Sequence, residues 1–197
     1  DDMARTSIKD FGMSELTVKK VSSRFQAMGS AMEIPIGKIS DMSVELTKFT
    51  ADMASFYNME QKDVAQDLES IFTGTTRPMR TYGIDLTQAN LKQWALNNGM
   101  NANIETMTQA EKTMLRYQYV MAQTTHVAGD FQRTQDTWTN QIRILKQQFE
   151  QLGIVIGRTF IAMFKPMVKA LNAAMSSIIA FAQRVSEALG KIFGWKY

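Results

Sequence analysis

Apolar side chains recur every three or four positions along almost the whole chain, and this spacing constrains the fold more than any other feature. Val18, Val21, Phe25, Met28 and Met32 step by 3, 4, 3, 4. Ile39, Met42, Leu46, Phe49, Met53 and Phe56 continue the same rhythm. Such spacing gathers each set on one side of an α-helix. No strand-like alternation persists. Three prolines and eleven glycines in 197 residues leave few forced breaks, so long helices are favoured. The expected fold class is all-α. With 45% apolar residues the chain can bury a core and does not have the composition of a disordered segment. Fifteen methionines fit a helical core, or more rarely an adaptable binding surface.

The breakers cluster in one stretch, "LESIFTGTTRPMRTYGIDLTQANL", residues 68–91. Gly74 stands where a left-handed residue ends a helix. Pro78 suits the first turn of a short second helix, where a missing N–H costs nothing. Gly83 closes that turn, and Thr87 is expected to cap the helix through Leu91, Trp94 and Leu96. Gly74, Pro78 and Gly83 therefore define a structural corner, which implies a globular helical module rather than one rod. Asn58 with Gln61, and Thr108 with Glu111, have capping-box spacing. "HVAGD" at 126–130 is a further expected break.

Beyond Thr134 the spacing tightens into a heptad seam. Trp138, Ile142, Leu145, Phe149, Leu152, Ile156 and Met163 follow 4–3 steps, with Thr159 the polar member of the series. The seam either packs against the preceding helices or drives parallel self-association. Pro166 is expected to break or kink the helix. After it, Met167, Leu171, Met175 and Ile178, with Phe181 beside them, form an apolar face that is either buried or free to meet a membrane surface. The expected organisation is a compact helical module over 1–128, then a long helical hairpin or stalk over 129–197, broken at Pro166.

Charge separates the two parts. Net charge is +3 overall. Residues 151–197 carry Arg158, Lys165, Lys169, Arg184, Lys191 and Lys196 against Glu187 alone, while acids slightly outnumber bases in the rest. The longest uncharged apolar-rich run, Ala170–Gln183, falls short of the roughly 18–20 residues a spanning helix needs.

Residues suited to chemistry are sparse. Cysteine is absent, which removes disulfides, thiolate metal sites and cysteine nucleophiles. His126 is the single histidine, and the nearest acid, Asp130, stands beyond the expected break at Gly129. Asp63 and Asp67 share a helix face and read as a solvated face rather than an acid–base pair. No phosphate-binding loop, nucleophile elbow, zinc-protease or calcium-loop pattern occurs. No catalytic, cofactor-binding or metal-binding residue is expected, and no cofactor. The dispersed basic residues give no nucleic-acid groove.

The stretch "DMASFYNMEQKDVAQDLESIFTGTTRPMRTYGIDLTQANL" (52–91) resembles the shared module of tail tape-measure proteins of long-tailed bacteriophages and prophages. That family carries an aspartate-led D-x-A-S-F-Y-N element, a helix ending in S-x-x-x-G, and x-P-L-x-x-x-G-I. Here these are Asp52, Ala54, Ser55, Phe56, Tyr57 and Asn58, then Ser70 and Gly74, then Pro78, Gly83 and Ile84, with Met79 where leucine is usual. "TQAEKTMLRYQYVMAQT" (108–124) and "GDFQRTQDTWTNQIRILKQQFEQL" (129–152) extend the likeness, which covers about residues 11–175.

The resemblance implies a virion structural protein and no enzyme. It would be made in the host cytoplasm and sited inside the tail or at its tip. It would set tail length during assembly and leave ahead of the DNA at ejection. The implied partners are further copies of itself (three or six), tail-tube and tail-tip or baseplate proteins, and possible contact with the host membrane. A fully helical chain of this length reaches only roughly 300 Å. With the opening "DDMARTSIKD", which lacks an initiator Met, this leads to the expectation of a piece of a longer ruler.

Overall fold

Among the described residues every regular element is helical, and the order is simple. α1 is Asp2–Phe11, α2 Glu15–Ala31, α3 Ile36–Phe56, α4 Gln61–Leu68, α5 Ser70–Thr73 and α6 Arg77–Arg80. α7 is Gln88–Asn97, α8 Gln109–Gln123, α9 Asp130–Thr134 and α10 Trp138–Phe193, with a 3-10 turn at Ile104–Thr106 before α8. This computed structural model describes the backbone of residues 2–193 and the side chains of 7–153 and 164–187.

α3 is the hub. It packs against α1, α2, α4 and α9, and its sequence explains how it survives burial on several sides. Ile39, Met42, Leu46, Phe49 and Met53 form the expected apolar stripe, all within the core. Ser43, Thr47 and Thr50 are also buried. Each satisfies its own hydroxyl inside the helix: Ser43 donates to the Ser40 carbonyl, Thr47 to Ser43 and Thr50 to Leu46 at 2.6–2.8 Å. A buried hydroxyl without a partner would cost about 1–3 kcal/mol. Phe56, the last member of the stripe, is instead 46% exposed.

The turns depend on left-handed residues. Asn58 is one (φ 52°), and the chain leaves α3 with the Met59 N–H bonded to the Ala54 carbonyl and the Asn58 N–H to Ser55. This is a Schellman-type ending. The expectation that Asn58 caps the next helix is therefore corrected: Glu60 occupies the cap of α4 without a side-chain bond. Asparagine tolerates the left-handed region as well as it caps, and the competing use won. Gln61, the supposed capping-box partner, is buried and donates to the Phe11 carbonyl at 2.8 Å. Thr87 does precede α7, but its side chain makes no cap bond. Thr108 and Glu111 form the complete reciprocal box.

The corner is built as the spacing requires. Gly74 ends α5 at φ 74°, Pro78 lies in the first turn of α6, and Gly83 has φ 75°. Arg116 from α8 donates to the carbonyls of Ile71 and Phe72 at 3.2 and 3.4 Å, covering the open end of α5. A side chain at Gly74 would collide with this guanidinium, whose Nη2 lies 2.7 Å from the position of a Cβ. Met79, Tyr82, Ile84 and Leu86 fill the space beneath the corner.

Two units result, Asp1–Gln151 and Leu152–Tyr197. The first runs past the expected boundary at 128, because α9 packs on α3 and the opening turns of α10 are bonded to it. The second is helical and contains Pro166 within α10. The expected break there, and with it a hairpin, does not occur. A proline removes one backbone bond and crowds the preceding turn, yet Ala162, Met163 and Lys165 before it and Met167, Lys169 and Ala170 after it favour the helix.

The α2–α3 crossing gives a direct test of packing. A Cβ on Gly29 would lie 2.0 Å from Ile39 Cδ1 and 2.3 Å from its Cγ1. Gly29→Ala should therefore lower stability by about 1–3 kcal/mol through overpacking, against a helix-propensity gain of about 1 kcal/mol. Urea titration reads the sign. Ile39→Val in the same chain should recover part of the loss.

Candidate interaction surface

The residues that attach α9 and the start of α10 to α3 are mostly polar, and they radiate from the C-terminal end of α3. Asp52 accepts the backbone N–H groups of Gly129 and Phe131 at 2.8 and 3.0 Å. Its carboxylate thereby takes the place of a cap at the start of α9, whose own cap position, Gly129, has no side chain. Thr134 bonds the Ser55 hydroxyl at 2.8 Å, and buried Asn140 donates to Ser55 and to Thr134. Arg143 donates to the carbonyls of Ala54 and Met59 at 3.2 and 3.1 Å, and to Asn140. Gln147 accepts from the Ser14 N–H at 3.0 Å. Ile144 is the apolar member, set against the small cluster of Met13, Val18, Ala51 and Phe131.

Asn140, Arg143, Ile144 and Gln147 thus make one inward face of α10. At about 100° per residue, the seam of Trp138, Ile142, Leu145 and Phe149 lies on the opposite side. Those four residues are 44–75% exposed, and Leu152, first of the second unit, is 40% exposed. Among the described residues the seam is therefore not packed on the preceding helices. The side chains of Ile156 and Met163 lie outside the described residues. In the second unit Met167, Leu171, Met175, Ile178 and Phe181 are 43–69% exposed. Contiguous exposed apolar side chains mark interaction surfaces.

The clasp consists largely of the element that carries the resemblance. Asp52, Ala54 and Ser55 hold α9 and α10, as above. Phe56 lies edge-on to His126, and Tyr57 edge-on to Tyr82. His126 is exposed and serves as this ring contact. Asp63 and Asp67 part company: Asp63 is exposed, whereas Asp67 accepts the Tyr82 hydroxyl at 2.7 Å. Burial, together with that bond, holds the Tyr82 phenol well above its ordinary pKa. The expected solvated face is correct for Asp63 only. The sequence carried one signal for the clasp, an aspartate on the flank of α3's apolar stripe. Its partners stand more than seventy positions away, so spacing could not reveal them.

No group of acidic or histidine side chains able to hold a metal occurs among the described residues. No helix among them is long and apolar enough to cross a membrane.

Burial raises the Asp52 pKa, against the lowering effect of the bonds from Gly129 and Phe131. The folded state then takes up the proton before the unfolded chain does. The stability linked to this ionisation is complete below the unfolded value of about 3.9 and is lost as pH rises through the folded value. Asp52→Ala should cost about 1–3 kcal/mol by orphaning two N–H groups. Guanidinium titrations from neutral pH downward should show the gap between wild type and variant widening as acidity increases.

Compared with known protein families, curated proteins and solved structures, the chain has no match.

Proposed function

We propose that this chain is a structural protein of a phage-type tail, a tape measure, which helps set tail length during assembly and is released ahead of the DNA. The resemblance at residues 52–91 supplies the class. The observation that carries the mechanism is the outward-facing seam: α10 is held by its polar face, and its apolar residues Trp138, Ile142, Leu145 and Phe149 are left for another helix. In this reading that helix belongs to a further copy, packed lengthwise along the tail axis, with tube and tip proteins around the assembly.

Leu145→Asp or Phe149→Asp tests it. Each residue is nearly half exposed, so the first unit should lose no more than about 0.5 kcal/mol. Self-association should fail because a charge would enter the seam. Sedimentation equilibrium of the variants, together with tail length by electron microscopy, decides the matter. Association and tails indistinguishable from wild type would refute the reading.

The exposed face from Met167 to Phe181 favours a second reading, contact with a lipid surface, since Lys165, Lys169 and Arg184 flank it. Flotation with vesicles containing phosphatidylserine should then recover the chain at low salt and less of it at high salt. Leu171→Asp with Phe181→Asp should abolish recovery at both.

A further inference from the structure

Between α2, the α3–α4 turn and the first turns of α10 lies an open groove of about 1070 Å³. It belongs wholly to the first unit. Its floor includes Val21, Met59, Ala65 and Ile142. Its walls carry Lys19, Lys20, Arg24, Lys62, Arg143 and Lys146, against Glu60 and Glu150. The excess of positive charge is local, because acids slightly outnumber bases over the first 150 residues.

Several of these cations are already engaged. Lys19 pairs with Glu15, Arg24 with Glu69 and Lys146 with Glu60. Arg143 is committed to the carbonyls of Ala54 and Met59. Lys20 and Lys62 are exposed and make none of these ion pairs. They face the groove from α2 and from the start of α4, whose first turn has no side-chain cap. A negative group there would meet the two lysines, which stand beside Glu60 at the cap position and Asp63 in the first turn of α4.

We infer that this groove is a docking site for an acidic, amphipathic segment of a partner protein, whose carboxylates meet Lys20 and Lys62 while its apolar side chains reach Met59 and Ile142. The apolar floor distinguishes such a segment from a nucleic-acid strand, which would need aromatic platforms for its bases. No aromatic side chain lines the groove. The site borders the seam and shares Ile142 with it, but Leu145 and Phe149 take no part in it. A substitution at Leu145 or Phe149 can therefore abolish self-association without removing a groove residue.

The test uses the full chain and a fluorescein-labelled peptide of repeated Glu-Leu-Glu-Ala, read by anisotropy. Binding should be saturable and weaken with salt. Lys20→Glu with Lys62→Glu should weaken it at least about tenfold without changing the thermal unfolding midpoint, and Lys92→Glu on α7 should leave it unchanged. Leu145→Asp should retain full binding, which separates this site from the proposed assembly seam. Absence of binding at low salt would overturn the inference. So would equal binding by the double variant, or equal binding of a single-stranded oligothymidylate of matched charge.

Discussion

A helix with one polar and one apolar stripe can be fastened by either, and the choice made at α10 governs the molecule. Asp52, Ser55 and the carbonyls of Ala54 and Met59 present hydrogen-bonding groups at the end of α3. Asp52 is answered by the backbone at the start of α9, and only a polar stripe of α10 can answer the rest, so Asn140 and Arg143 turn inward, with Gln147 accepting from Ser14 on the same side. The apolar stripe is then directed outward by geometry. Buried polar groups are costly when unpaired and specific when paired. The clasp therefore fixes the rotation of the helix more sharply than a greasy contact would.

The same economy of hydrogen bonds runs through the first unit. α3 keeps Ser43, Thr47 and Thr50 in the core by bonding each to its own backbone. Arg116 covers the exposed carbonyls at the end of α5, as Arg143 does at the end of α3. Each arginine brings a helix distant in sequence to a helix terminus, so helix ends serve as tertiary contacts. The proposed seam and groove both border this framework, and their positions follow from it.

Periodicity made the helices legible. The stripe from Ile39 to Met53 is the core, and the corner at Gly74, Pro78 and Gly83 has the conformation its residue types require. The capping box at Thr108 was readable because both of its members are local. Asn58 was misread because the same side chain suits two backbone roles, and only the path of the chain selects one. Pro166 was misread because a helix rich in strong formers absorbs one lost bond.

Contacts between neighbours within four residues make this protein helical, place its sharp turns and select which side chains form apolar stripes. Long-range packing sets which stripe faces inward on α10, makes Asp52 the cap of a helix far along the chain, and brings together basic residues of three elements. Those outcomes depend on pairing between groups 77–133 positions apart, and short-range spacing contains no information about such pairs.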